Sequence, residues 1–275
     1  MIRAAVLGAD VSKSRSPAIH NAAYHELGVE GQYEAVSVDA AGFDALALRL
    51  RDAGYRYLNV TIPHKAAAAG LTEVQGPEVR ASGAANTLLF DKSGSVRAEN
   101  TDGAGLIGAL ADLGVYVRAG QRIVMVGAGG AAAGAIEALT RAGARVDIVA
   151  RRPEQADELT QRLPAEQAML LSARGWTTGD LAEAVDGANA IVSAVPAAAW
   201  ADSAARAGLV ALKPETAVLE MAYGGDTPLG LAVRDATPLY ADGLGMLVHQ
   251  AARAIELALG RKPPLPPLFA AARGG

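Results

Sequence analysis

A chain of 275 residues, 51% hydrophobic and 20% charged, has the profile of a globular protein with one large or two ordinary domains. Its net charge of −4 comes with no basic cluster, which argues against nucleic acid as a partner; the lack of cysteine removes disulfides, zinc–thiolate sites and thiol nucleophiles. No apolar run is long enough for a membrane span, and Met1-Ile-Arg-Ala-Ala-Val-Leu-Gly8 lacks the layout of a signal peptide, so a cytoplasmic protein is expected.

Short apolar strands alternate with amphipathic stretches, the pattern of an α/β protein with a parallel sheet covered on both faces. Residues 4–7 predict the first strand, followed by a polar loop over 10–15. Ser16-Pro17 then opens a helix, with serine as its cap and proline at the first helical position. Strands follow at 33–38 and 57–62, with a helix over 42–53 between them. Residues 66–82 carry no clear period, and 86–90 with 96–99 read as a hairpin around Lys92-Ser-Gly-Ser95. Asp102-Gly103 leads into a helix to 113, and the pattern restarts across 114–120, in or just before which a domain boundary falls. Beyond it come strands at 123–126, 146–149, 190–193, 217–219 and 238–240. Helices end near 141, span 154–163 and close the pattern over 243–259, after which a tail with Pro263, Pro264, Pro266 and Pro267 ends ordered structure loosely.

Gly127-Ala128-Gly129-Gly130-Ala131-Ala132 sits between an apolar strand and a helix, the context in which a Gly-x-Gly-x-x-Ala run binds a dinucleotide. The glycines allow a tight turn and close backbone approach to a pyrophosphate, whose charge the helix N-terminus meets. The next strand decides the cofactor. Asp147 lies about three residues short of that strand's end, ~10 Å away at ~3.3 Å per residue. Arg151 and Arg152 occupy the exit, and two guanidiniums suit a 2′-phosphate, so NADP is expected rather than NAD.

Further polar motifs lie in the first hundred or so residues. Ser14-Arg15-Ser16 puts two hydroxyls near a helix N-terminus, a neutral site for a carboxylate, although Ser16 also suits plain capping. In Asn59-Val-Thr-Ile-Pro-His-Lys65, alternation puts Asn59 and Thr61 on one face, with Lys65 just past the strand's C-terminal edge. Lys65 fits a cleft acid–base group or a surface lysine starting a helix. Asn86-Thr87 and Asn100-Thr101-Asp102-Gly103 complete the set, and Asp102 fits a helix cap as well as a functional carboxylate. His20, His25, His64 and His249 have no ligand spacing, so no metal is expected.

With Met221-x-Tyr223 and Asp242-Gly243-x-Gly-x-x-x-x-x-Gln250, these motifs span nearly the whole chain in one order, and in that order the sequence resembles the shikimate dehydrogenase family. The resemblance implies a reversible NADP-linked conversion of 3-dehydroshikimate to shikimate in aromatic amino acid biosynthesis. It implies two α/β domains: a substrate-binding domain over 1–102 completed by a returning C-terminal helix over 242–275, and a Rossmann-type, doubly wound NADP domain over 103–241. By the same resemblance Ser14 and Ser16 hold the carboxylate. Asn59, Thr61, Asn86, Tyr223 and Gln250 line the ring, and Lys65 and Asp102 stand at the reacting hydroxyl. Gly127, Ala128, Gly129, Gly130, Ala131, Arg151 and Arg152 hold the cofactor, with Met221 and Gly243 beside its nicotinamide. Partners are then a small-molecule substrate alone, with no nucleic acid and no membrane, in a monomer or homodimer.

Some positions depart from the family pattern. Lys13 stands where histidine is common, after Ala9-Asp10; Ala150-Arg151-Arg152 replaces Asn-Arg-Thr; and Val192-Ser-Ala-Val195 replaces Asn-Ala-Thr-Ser. Lys13 favours an anionic substrate, and the alternatives are a quinate/shikimate or aminoshikimate dehydrogenase. A non-catalytic ligand sensor is a further alternative, against which the intact Lys65–Asp102 pair argues, and a folate-type dehydrogenase would lack the Ser-x-Ser-Pro loop.

Overall fold

A computed structural model describes residues 1–274, and its packing divides them into two units: Met1–Gly105 with the chain from Leu247 onward, and Leu106–Met246. The first unit is built on β1 (Ile2–Gly8), β2 (Gly31–Ser37), β3 (Tyr57–Val60), β4 (Thr87–Phe90) and β5 (Val96–Glu99), in the order β2-β1-β3-β4-β5. β1 pairs in parallel with β2 and β3, whereas β4 runs antiparallel to β3 and β5. The sheet is therefore mixed, because residues 87–99 return as the hairpin that the Lys92–Ser95 turn predicts. Asp91 Oδ1 fixes that turn by accepting the Ser93 and Ser95 amides at 2.8 and 3.0 Å.

Four helices accompany this sheet: α1 (Ser16–Glu26), α2 (Phe43–Asp52), α3 (Lys65–Gly70) and α4 (Pro77–Ser82). The last two fill the stretch without a clear period, each too short at six residues to display one. Leu7, Phe43, Leu58, Leu88 and Ala98 pack into one buried cluster on this sheet. Ser16 is not the cap of α1. It is the first helical residue, Pro17 follows it, and the Ser14 hydroxyl accepts the Ser16 N–H at 3.3 Å.

The helix α5 (Asp102–Asp112) begins in the first unit and ends in the second. There β6 (Arg122–Val126), β7 (Arg145–Ala150), β8 (Leu171–Gly175), β9 (Ala190–Ser193), β10 (Ala217–Glu220) and β11 (Tyr240–Ala241) form one sheet in the order β11-β10-β9-β6-β7-β8. Every pairing in it is parallel. Starting at β6 the chain builds outward to β8, then crosses back to β9, so β6 and β9 flank a topological switch point of the doubly wound kind. Val124, Ile191 and Val218 are wholly buried, as expected of central parallel strands covered on both faces. The helices are α6 (Gly130–Arg141), α7 (Glu154–Arg162), α8 (Ala165–Ala168), α9 (Thr178–Val185), α10 (Ser203–Ala207) and α11 (Pro228–Val233). β8 went unanticipated because an edge strand, Leu-Ser-Ala-Arg-Gly, needs no apolar run. α9 does carry a start signal: Thr177 Oγ1 accepts the Asp180 N–H at 3.1 Å.

The chain returns to the first unit within α12 (Leu244–Leu259) and ends in α13 (Leu265–Gly274). The proline-rich tail is thus a helix, not a loose end. Pro266 and Pro267 stand in its first turn, where an amide has no intrahelical acceptor to lose. Leu268 and Ala272 are wholly buried, and α13 packs against α1. No helix among the described residues is long and apolar enough to cross a membrane.

Candidate active site

Register places the C-terminal ends of β1, β3 and β5 beside the N-terminal end of β4, since Asn59 faces both Val6 and Thr87, and Thr87 faces Glu99. Segments far apart in sequence therefore deliver their polar residues to one edge of the first sheet. It is at the carboxyl ends of parallel strands that open α/β sheets hold ligands.

After β3 the chain turns through Thr61-Ile62-Pro63-His64, with a cis Ile62–Pro63 peptide bond and the His64 N–H donating to the Thr61 carbonyl at 3.0 Å. His64 is buried against Phe43, ring centroids 4.7 Å apart, with Nε2 2.9 Å from the Val38 carbonyl. That anchor makes Lys65 the first residue of α3. Lys65 Nζ donates to Asp102 Oδ2 at 2.5 Å, the two side chains being only 20% and 9% exposed. Asp102 does not cap α5 with its carboxylate. It opens the helix, donates its N–H to Asn100 Oδ1 at 3.0 Å, and leaves both carboxylate oxygens for Lys65 and Asn86.

Asn86 is the hub. Its Nδ2 donates to Asp102 Oδ1 at 2.8 Å and Thr101 Oγ1 at 3.0 Å, and its Oδ1 accepts the Thr101 N–H at 2.8 Å. Gln250 arrives on α12 with Oε1 3.1 Å from the Thr101 hydroxyl, while its Nε2 donates to the Leu247 carbonyl. Asn59 joins indirectly, donating to Thr87 Oγ1 at 3.0 Å. Four of the anticipated residues, Lys65, Asp102, Asn86 and Gln250, are thus brought together, with Thr61 at the turn before Lys65. Thr87, Asn100 and Thr101 were not anticipated as site residues, although they lie inside the Asn-Thr and Asn-Thr-Asp-Gly motifs.

Ser14 and Ser16 flank the start of α1, where helix amides present a positive end. Between them Arg15 Nη1 donates to the Ala272 carbonyl of α13 at 2.6 Å. Upstream, the Ser12 hydroxyl and amide hold the Asp10 carboxyl below the usual carboxylate range. Lys13 is exposed on this loop.

In the second unit Gly127 follows β6 at φ +109°, and a Cβ there would meet Val195 Cγ1 at 2.9 Å, so only glycine fits the turn. Gly129 and Gly130 face open space, and no side chain caps the start of α6. Ala132 is wholly buried where the helix passes the sheet. Open backbone amides at a helix start fit a pyrophosphate. Arg151 and Arg152 are exposed directly after β7, suited to a further phosphate. Asp147 is engaged elsewhere, accepting from Arg122 Nε at 2.6 Å and from the Ser172 hydroxyl. Gly243 approaches Met221 so closely that a Cβ would lie 2.1 Å from the Met221 carbonyl oxygen, and Gly243 donates its N–H to the Ala222 carbonyl. Tyr223, two residues after Met221, is 40% exposed. The Ser193 hydroxyl, at the departure from the family pattern, accepts from Trp200 Nε1 at 2.9 Å inside the core.

Comparison with known proteins matches residues 6–88 to the shikimate dehydrogenase substrate-binding domain and residues 117–211 to a putative NAD(P)-binding family. Shikimate dehydrogenase (NADP(+)) of Xanthomonas oryzae pv. oryzae is 38% identical, covering 98% of this chain and 95% of its own. Its counterpart in Methylobacillus flagellatus is 34% identical over 99% of both. The structure of Mycobacterium tuberculosis shikimate dehydrogenase superposes with a TM-score of 0.86 at 30% identity, covering both chains fully. The Thermus thermophilus enzyme in complex with NADP(H) and shikimate gives 0.81 at 29% identity, covering 100% of this chain and 99% of its own.

Proposed function

The chain belongs to the shikimate dehydrogenase family, NADP-dependent oxidoreductases that interconvert shikimate and 3-dehydroshikimate, and we propose that Lys65 and Asp102 are its acid–base pair. The observation that carries this reading is the half-buried Lys65 Nζ held 2.5 Å from Asp102 Oδ2 at the ligand-binding edge of the first sheet. When bound, NADP accepts or returns the hydride at the carbinol carbon. The hydroxyl proton must leave as the carbonyl forms, and a base within hydrogen-bond reach of that oxygen is required. In oxidation the Lys65–Asp102 pair takes that proton; in reduction it returns it, acting as one unit. Asp102 orients the ammonium, and Asn86 fixes Asp102 in turn.

The Ser14 and Ser16 hydroxyls, at the positive end of α1, hold the substrate carboxylate, with Lys13 adding attraction for an anion. Thr61, Asn86 and Gln250 line the ring. The first unit is the substrate-binding domain and the second the NADP domain, where Gly127, Ala128, Gly129, Gly130 and Ala131 cradle the pyrophosphate. Arg151 and Arg152 take the 2′-phosphate, and Met221 and Gly243 flank the nicotinamide. The same reading puts a monomer or homodimer in the cytoplasm, acting on a small molecule alone. A spectrophotometric assay of NADP reduction with shikimate and then quinate tests it. Turnover with shikimate several-fold above quinate is expected; turnover with neither sinks it.

A further inference from the structure

A chain of hydrogen bonds runs from the interior of the first unit to Asp102, and backbone groups fix the direction of each link. Asn59 Nδ2 lies 3.3 Å from the Asn86 carbonyl, so the amino end of that amide must face it and Oδ1 must face Tyr33. The Tyr33 hydroxyl therefore donates to Asn59 Oδ1 at 2.8 Å. Thr87 Oγ1 accepts from Asn59 Nδ2 at 3.0 Å and turns its single proton toward Asn86 Oδ1, 2.9 Å away. The Thr101 N–H also points at Asn86 Oδ1, which excludes the flipped amide and aims Nδ2 at Asp102 Oδ1. Tyr33, Asn59, Asn86 and Thr87 are all buried.

We propose that Thr87 and Asn59 are positioning residues for the acid–base pair, acting through Asn86. Both Asn59 amide hydrogens are engaged within the protein, one by the Asn86 carbonyl and one by Thr87 Oγ1, and Oδ1 accepts from Tyr33, so the side chain is held in one orientation. An oppositely turned Asn86 amide sets its oxygen against Asp102 Oδ1, repelling the carboxylate from Lys65. The Thr87 hydroxyl is the link that opposes this turn from the strand side, and it touches neither Lys65 nor Asp102.

The inference rests on Lys65 and Asp102 being the acid–base pair, and the test separates the two. Steady-state kinetics of shikimate oxidation are measured on the whole protein for Thr87→Val, Thr87→Ser, Tyr33→Phe and Lys65→Ala, with thermal unfolding alongside. Thr87→Val, which keeps the shape and loses the hydroxyl, is expected to lower kcat about 10- to 100-fold, as misplaced catalytic groups do, with KM within about threefold of wild type. Thr87→Ser restores kcat to within about threefold, and Tyr33→Phe, at the far end, lowers it about threefold. Wild-type kcat in Thr87→Val, or Thr87→Ser as impaired as Thr87→Val, overturns the proposal. If Thr87→Val does not fold, Tyr33→Phe decides, and an unchanged kcat there overturns it. Near-normal kcat in Lys65→Ala instead overturns the reading of the pair itself.

Discussion

Both units carry their functional candidates at the ends of a sheet, but they prepare them by different means. In the first, side chains satisfy one another: Asn86, Thr101, Asp102, Lys65 and Gln250 form one connected set. In the second, the prepared element is bare backbone, a glycine turn ahead of an uncapped helix, with two exposed arginines after the neighbouring strand. The contrast follows the chemistry. Moving a proton at one hydroxyl demands side chains fixed to a fraction of an ångström, whereas a pyrophosphate is met by amides of any sequence once the turn is tight. Specificity in the first unit lies in side-chain identity, and in the second it lies in backbone shape plus a few cations.

Substitutions can break that comparison or sharpen it. The largest effect belongs to Lys65→Ala, expected to lower kcat about 10²- to 10⁴-fold while calorimetry still shows shikimate binding. Next, removing both guanidiniums in Arg151→Ala/Arg152→Ala should raise KM for NADP about 10- to 100-fold, with little change in kcat or in KM for NAD. Equal loss with both cofactors would mean that these arginines do not read the 2′-phosphate. A third effect is on stability. His20 is wholly buried with Nδ1 2.6 Å from the Tyr57 hydroxyl, and burial lowers its pKa from 6.5 to about 3. Below 6.5 the unfolded chain takes up a proton that the folded chain refuses until about 3, so stability falls as pH drops through that window. The slope from this group is at most about 1.4 kcal/mol per pH unit, and chemical denaturation of His20→Gln should show it missing. The smallest effect is Arg15→Ala, which frees the serine loop from α13 and should raise KM for shikimate about threefold without changing kcat.

The second unit was legible from local signals, because a strand, Gly-x-Gly and a helix are contiguous in the chain and its central strands are apolar runs. What stayed hidden there was β8, whose edge position needs no such run, together with the helices α8 to α11. The first unit was legible differently. Periodicity alone could not pair Lys65 with Asp102, since only the antiparallel return of β4 and β5 brings residues 65, 86 and 102 to one edge. The order of motifs along the chain carried that information. Helix-capping rules mistook Ser16 for a cap and left Asp102 open between a cap and a functional carboxylate, when each is the first residue of its helix. α13 was hidden by its prolines, which read as a stop when they stand beyond a helix and as a start when they open one.

The two-part nature of the first unit has a consequence for how it is made. Gln250 meets Asn86 and Thr101 across 164 and 149 residues of chain, and Arg15 meets Ala272 across 257. During synthesis the second unit, which ends at Met246, leaves the ribosome before most of α12 and all of α13, so α1 waits without the helix that packs against it. Contacts this remote in sequence form slowly. The second unit is continuous in the chain and can finish first, whereas the first is complete only once its last helix has been made.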